Sequence, residues 1–394
     1  MVVIGGAAVA VAAPSGSAPP VQADAVVSGA ALSVSVSVSV SSGSMHSCVV
    51  TTSGGVKCWG YNPAGELGDG TTTTRSTPVD VVGLTSGVAM VSAGTENTCA
   101  LTSAGGVKCW GDNGLGQLGA GNIGVAQSNT PVDVIGLASG VTAIAVGYDH
   151  ACAVTTGGAV KCWGYNAYGQ LGDGTMGGSS STPVDVVNLG AKAHALALGD
   201  FHSCAITAVG VSCWGGNGNG QLGNFTQTDS ASPVAAAKLA SGVTSLSASQ
   251  DRTCAVSSTG KAYCWGQNRG SYLGVGRRQV RVLAPALVVG LPGKVTTVGV
   301  GDSICTTGGG ITSCWGRNTY GQVGDGTTTP RTTPVQVVGL PGVGTQVSPG
   351  FYSTCAVTRS GGVFCWGSDE VGQLGDGRSG TGIMSTAPVA VHGL

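Results

Sequence analysis

Gly147-Tyr-Asp-His-Ala-Cys-Ala-Val-Thr155, Cys162-Trp-Gly-Tyr-Asn-Ala-Tyr-Gly-Gln-Leu-Gly-Asp-Gly174 and Ser181-Thr-Pro-Val184 are successive pieces of one unit that the chain repeats seven times. In every unit a cysteine is followed nine or ten residues later by a second, and the second is followed by Trp-Gly. The pairs are Cys48 with Cys58, Cys99 with Cys109, Cys152 with Cys162, Cys204 with Cys213, Cys254 with Cys264, Cys305 with Cys314 and Cys355 with Cys365, which use all 14 cysteines. Trp59, Trp110, Trp163, Trp214, Trp265, Trp315 and Trp366 are all 7 tryptophans and recur every 50 to 53 residues. Such a period with strand-like content indicates a propeller or an array.

The second unit shows the strands. Val88-Ala-Met-Val-Ser-Ala-Gly94, Thr98-Cys-Ala-Leu-Thr102 and Gly106-Val-Lys-Cys-Trp110 read as three strands. Pro131-Val-Asp-Val-Ile135 reads as a fourth, opened by a proline. Four short antiparallel strands, seven times over, predict an all-β, seven-bladed β-propeller.

Register predicts one disulfide within each hairpin. Opposing Cys48 to Cys58 leaves Thr52-Ser53-Gly54 as the turn; opposing Cys204 to Cys213 leaves Ala208-Val209. Both are common hairpin lengths, so the turn absorbs the change in spacing. The alternative is seven pairs of buried thiols. An even count with none left over favours bridges and an oxidising compartment. Zinc is disfavoured, because a hairpin brings two ligands and each blade lacks two more. Each tryptophan adjoins a cysteine and so points to the other sheet face. Every seam between blades is therefore expected to hold an indole from one side and a disulfide from the other.

Composition narrows the class. Gly 71 with 9% charged and 42% hydrophobic residues fits a turn-rich β protein. A net charge of −1 provides no basic footprint for nucleic acid. No run of 18 apolar residues occurs, so no membrane-spanning helix is expected. Met1–Ala13 reads as an export signal without the usual basic start, with an Ala-rich tail as the alternative. Pro14–Ala30 reads as linker, which divides the chain into residues 1–30 and a propeller over 31–394.

The long unit G-x-x-H-[ST]-C-A-V-T-x-x-G-G-V-x-C-W-G-x-N-x-x-G-Q-L-G-D-G, followed by [ST]-x-P-V, resembles the repeat of the regulator of chromosome condensation family. The match runs over about residues 31–394. The resemblance implies a seven-bladed propeller used for binding. Members include a nuclear exchange factor for a small GTPase, a plant ultraviolet photoreceptor and a secreted bacterial β-lactamase inhibitor, so membership leaves the partner open. The paired cysteines point to a bacterial-type secreted member. No basic N-terminal tail or inserted wedge hairpin matches the exchange factor, and no tryptophan lies outside the repeat slot as the photoreceptor would need.

In an up-and-down blade the first-to-second and third-to-fourth connections emerge on one side. These are the long, varied ones, and specificity is expected there. Candidates just before each first cysteine are Glu96, Tyr148, Asp149, Asp200, Phe201, Asp251, Arg252, Asp302, Phe351 and Tyr352. The long loops add Tyr61, Tyr165, Tyr168, Arg269, Arg317 and Tyr320. Aromatics interleaved with carboxylates and arginine suit a protein-binding surface, while about half of the acids are expected to cap turns instead. In the fifth unit Arg269, Arg277, Arg278 and Arg281 crowd one loop, readable as a basic patch or as a solvated charged loop. His46, His150 and His202 share a slot with Asn97, Arg252, Ser303 and Ser353, and read as structural hydrogen-bonders. Asp69, Asp173, Asp325 and Asp376 of the Gly-Asp-Gly repeats read as turn devices rather than calcium ligands.

No nucleophile, base and orienter stand together, so neither catalysis nor a cofactor or metal is expected. The leading expectation is a secreted or cell-surface monomer whose long-loop face recognises an unknown protein. An exchange-factor-like regulator of a small GTPase and a glycan-binding protein are the alternatives. Ring closure is left open: Pro388–His392 completes its own blade, or lies against the first strand beside Leu32–Val40.

Overall fold

A computed structural model describes residues 3–4, 9–11, 38–121 and 125–394. From Ser39 onward it is a seven-bladed propeller of four-stranded antiparallel blades. Blade 1 comprises Ser39–Ser42, His46–Val50, Val56–Gly60 and Arg75–Asp80, counted outward from the axis. Blade 3 comprises Val141–Val146, His150–Thr155, Val160–Tyr165 and Ser179–Asp185, while blade 2 runs from Val88 to Asp133, blade 4 from Ala193 to Ala235, blade 5 from Val243 to Leu287 and blade 6 from Thr297 to Gln336. Blade 7 ends the chain with Gly344–Pro349, Ser353–Thr358, Val363–Ser368 and Met384–Ala390. The expected export signal and linker fall largely outside the described residues. Val3–Ile4 and Val9–Val11 pair with each other, and the latter lies against the inner strand of blade 5 through Val11–Ser245 and Ala10–Leu246.

Blade boundaries agree with the sequence except at the outer strand. In blade 2 it is Gln127–Asp133, so Pro131 lies inside the strand rather than at its start. The ladder shifts register between Ser128 and Val132, and a proline without an N–H is accommodated at that irregularity on the outermost strand.

All seven expected cysteine pairs are disulfides, each between directly opposed residues of the second and third strands. In chain order the bridges are Cys48–Cys58, Cys99–Cys109, Cys152–Cys162 and Cys204–Cys213. Cys254 is joined to Cys264, Cys305 to Cys314, and Cys355 to Cys365. The Cys305 and Cys314 hairpin has the shorter separation of 9 residues, as does that of Cys204 and Cys213, while Cys254 and Cys264 keep the commoner 10. The turns are those read from register: Thr51 N donates to Gly55 O around Thr52-Ser53-Gly54, and Thr207 pairs with Gly210 around Ala208-Val209.

Each seam packs the disulfide of one blade against the tryptophan of the next. Cys48–Cys58 shares a core with Trp110, Cys99–Cys109 with Trp163, and Cys152–Cys162 with Trp214. One larger core holds both Cys204 and Cys213 with Trp265, and Cys254 and Cys264 with Trp315. Cys305 and Cys314 share theirs with Trp366. Cys355–Cys365 shares one with Trp59, so the last seam joins blade 7 to blade 1. The final strand completes its own blade and closure is non-covalent. Ser42 N donates to Ser348 Oγ at 2.9 Å, and Gln346 brackets Val40 through both its N–H and its carbonyl.

Inner strands are crowded on both faces and accordingly small, as in Ala-Ile-Ala-Val and Ala-Leu-Ala-Leu. At the axis, glycines touch in sequence around the ring. A Cβ on Gly43 would lie 2.1 Å from Gly94 O, one on Gly94 would lie 2.5 Å from Gly147 O, and one on Gly350 would lie 2.3 Å from Gly43 O. These contacts narrow the channel mouth to a cavity of about 30 Å³, room for a water and little more.

Candidate functional site

The long-loop face is built by a bond repeated in every blade. The carbonyl of the last first-loop residue, just before the second strand, accepts the N–H that opens the long loop: Met45 from Tyr61, Glu96 from Asp112, Asp149 from Tyr165 and Phe201 from Gly216. Asp251, Asp302 and Tyr352 do the same for Gln267, Arg317 and Ser368. The candidates before each first cysteine thus have fixed backbones.

The long loops are braced from inside. Asn62 Oδ1 accepts from Leu67 N at 2.9 Å, while its amide donates to Thr71 O and Thr73 O, both at 3.1 Å. Asn113, Asn166, Asn217, Asn268 and Asn318 accept the equivalent N–H in their own blades. Sequence reading missed this brace, although an asparagine at one slot in six of seven units was its signal. Asp69 caps its turn as expected, accepting from Thr71 N at 2.9 Å, and Arg75 covers its other oxygen.

Around this frame the candidates fall into three groups. The first joins blades 3 and 4. Phe201 lies 5.1 Å from Tyr168, 6.0 Å from Tyr148 and 6.1 Å from Tyr165 between ring centroids. Tyr148 and Tyr168 are 37% and 40% exposed, a large share for rings that already touch others. Beside them run Glu96, Asp112, Asp149 and Asp200, none of which has a cationic partner within ion-pair distance among the described residues. Burial, then the charges of Asp112 and Glu96, push the Asp149 carboxyl up to about 7. Burial, then Asp251, push Asp200 to about 7 against the opposing pull of its bond from Gln250 N. Burial and the same acids also raise the Tyr148 phenol. Asp112 was not singled out from sequence; its slot follows Trp-Gly and varies between blades, so only the fold brings it to Asp149.

The second group is structural. Arg252 is buried, donating to Gly301 O at 3.2 Å, Asp302 O at 3.1 Å and Gln250 Oε1 at 3.0 Å. Asp302 is buried too, accepting from Gln250 Nε2 at 2.7 Å and facing Arg317 at 3.4 Å. Asp251 accepts from Asn219 and Gln221, each at 2.8 Å. The third group is a smaller aromatic set on blades 6 and 7: Tyr352 stands 5.5 Å from Tyr320 and 6.5 Å from Phe351. Tyr61, half-buried on blade 1, has no ring contact among the described residues.

The histidines are inter-blade struts. His46 Nε2 meets Thr98 Oγ1 at 2.9 Å, and that hydroxyl donates to Glu66 O at 2.9 Å. Ser203 and Thr253 repeat the relay for His150 and His202, passing their protons to Gln170 O and Gln221 O. A hydroxyl has one proton, so each histidine must donate from Nε2. Burial holds the rings neutral, with His46 down to about 4 and His150 and His202 to about 3. Among the described residues no three metal-binding side chains cluster, and no helix is long and apolar enough to cross a membrane.

Residues 13–307 match the family profile of the RCC1-like domain, and residues 314–357 and 345–373 match the regulator of chromosome condensation (RCC1) repeat. The ultraviolet-B receptor UVR8 of Arabidopsis thaliana is 32% identical over 349 residues, 86% of this chain and 78% of that protein. Prp20p of Saccharomyces cerevisiae, studied for its binding to Gsp1p and histones, has a similar structure with a TM-score of 0.75 at 21% identity, over 86% of this chain and 85% of that one. The ectodomain of the Physcomitrella patens receptor kinase CR4 is more distant, with a TM-score of 0.51 at 20% identity over 84% and 73%.

Proposed function

Because the chain belongs to the RCC1 repeat family, we propose that it is a non-catalytic binding propeller, exported or displayed at a cell surface, which recognises a protein through its long-loop face. The observation that carries this reading is the aromatic set Tyr148, Tyr165, Tyr168 and Phe201 beside the carboxylates Glu96, Asp112, Asp149 and Asp200, which have no ion-pair partner among the described residues. Clustering desolvated acids raises the free energy of the folded chain, an arrangement common at functional sites. Exposed tyrosines supply contact area at small entropic cost. Together they suit a basic protrusion, held by carboxylates at its charge and by ring faces along its stem. Protein binding by relatives such as Prp20p supports a macromolecular partner. Seven disulfides support an oxidising compartment, and we read residues 1–30 as the signal-like segment and linker that deliver the domain there as a monomer.

The test compares immobilised wild type with the triple variant D149N/D200N/F201A. Capture of partner from the source organism's surface and secreted proteins should be lost while all seven disulfides remain. Unchanged capture moves the site off this face. The exchange-factor reading is tested by nucleotide release from small GTPases, and the glycan reading by a glycan array.

A further inference from the structure

We propose a second docking site, on the outer rim where blade 4 meets blade 5, for an acidic, amphipathic segment of a partner protein. The site is a groove of about 410 Å³ lined by Phe225, Lys238, Arg277, Val280, Arg281 and Leu283. Part of its lining comes from the long loops of blades 4 and 5, but it shares no residue with the aromatic and acidic set of the proposed partner face and does not depend on that reading.

Repeat comparison isolates this groove. The slot of Phe225 is glycine in the other six blades: Gly70, Gly121, Gly174, Gly276, Gly326 and Gly377. The slot of Lys238 is glycine in five others and Asn188 in blade 3. Both are left-handed turns, and Phe225 and Lys238 keep that backbone at φ 67° and 63°. A bulky residue is strained there, so the repeat's own solution has been abandoned twice in one blade. The two side chains meet, with Lys238 Nζ 5.7 Å from the Phe225 ring centre. Yet the ring is 60% exposed, and Val280 across the groove is 58% exposed. The strain therefore presents apolar surface to solvent instead of burying it.

Charge selects the occupant. The lining carries three cations, Lys238, Arg277 and Arg281, and no acid, within a protein of net charge −1. On the rims of blades 1 to 3 the cations are neutralised by Lys57–Asp80, Lys108–Asp133 and Lys161–Asp185. The same two slots in blade 5 are Tyr263 and Leu287. Lys238, Arg277 and Arg278 have no carboxylate partner among the described residues, and Arg281 contacts only the neutral Asn219 Oδ1, at 3.1 Å. Unpaired cations around an exposed apolar floor complement carboxylates that flank an apolar side chain.

The probe is a fluorescein-labelled peptide, Glu-Glu-Leu-Glu-Trp-Leu-Glu-Glu, titrated with full-length protein and followed by anisotropy at low and physiological salt. Saturable binding that weakens with salt is expected, as is loss of binding when Leu and Trp are replaced by Ser. F225G should weaken it at least about tenfold while melting no lower than wild type, since glycine relieves the turn. R277E/R281E should weaken it to a similar degree with all disulfides intact. Wild-type affinity in either variant overturns the proposal. So does equal affinity for the Ser peptide, or preference for heparin that the acidic peptide cannot displace.

Discussion

The indole N–H of Trp59 donates to the main-chain carbonyl of Gln373 at 3.0 Å, joining residues 314 apart across the last seam. Five other seams repeat the bond: Trp110 to Glu66, Trp163 to Gln117, Trp214 to Gln170, Trp265 to Gln221 and Trp366 to Gln322. The exception is Trp315, whose N–H is buried without a partner among the described residues. Its seam faces the blade 5 loop, where Ser271-Tyr272 stands in place of Gly followed by Gln or Glu and a 3-10 turn spans Arg269–Ser271. Trp59 therefore belongs to the core and also fastens the ring, and blade 5 has given up its fastener.

That contrast predicts unequal costs for one substitution. Trp→Phe at 59 and at 315 removes similar apolar area, but only the first breaks a hydrogen bond and leaves a buried carbonyl short of a donor. Trp59→Phe should cost about 1 kcal/mol more than Trp315→Phe. Urea denaturation of the two variants measures the difference, and equal costs would remove the bond's role in closure.

The disulfides are predicted to hold much of the remaining stability. Each closes a loop of 9 or 10 residues, for which the chain-entropy model gives at most about 2.5–3 kcal/mol per bridge. Protein from its native source, denatured with an alkylator but no reductant, should take up no label. Removing the closure-seam pair by C355A/C365A should lower stability by up to about 3 kcal/mol, read from the denaturation midpoint.

Blade architecture was legible because cysteine and tryptophan mark each repeat in full. Opposed cysteines, turn lengths and the indole–disulfide seam all follow from period-two alternation, which is local. Closure was not legible: Gln346 reaches Val40 across 306 residues, and no local pattern encodes that contact. The candidate face was legible slot by slot but not as a patch. Sequence ranks Arg252 equally with Phe201; the fold buries the first among carbonyls and sets the second among three tyrosines. Spatial neighbours such as Asp112 and Asp149 come from different blades, so their coupling exists only in the ring.

Asp369 sets a pH dependence. It fills the slot that is asparagine in the other six blades, and its Oδ1 accepts from Leu374 N at 3.0 Å while its second oxygen is buried. Burial, then the neighbouring Asp376 carboxylate, push it up to about 7. The folded state thus retains a proton that the unfolded state releases near pH 4. This contribution is complete below pH 4 and is lost as pH rises through 7. Asp369→Asn supplies the missing donor, and should stabilise the protein by about 1–2 kcal/mol at pH 8 with little effect at pH 4.

The histidine struts act in the opposite sense. Their folded values near 3 to 4 lie below the ordinary 6.5, so protonation favours unfolding and stability falls as pH drops below 6.5. Between pH 4.5 and 6.5 this loss opposes the gain from Glu66, Asp149, Asp200 and Asp369, so the wild-type profile should be much shallower than the acids alone would give. His150→Gln/His202→Gln should remove part of the acid loss and tilt the profile, so that stability rises on acidification. A steep profile in wild type would refute the compensation.

Partner binding should carry its own proton signature. Asp149 and Asp200 hold protons near neutrality in the free protein, and a basic partner favours their ionised forms. Binding then releases protons, and affinity should fall as pH drops from 8 to 6. Calorimetry in buffers of different ionisation enthalpy counts the protons, and D149N/D200N should abolish both the release and the pH slope. Release that persists in that variant would place the titrating groups elsewhere, most directly on the partner.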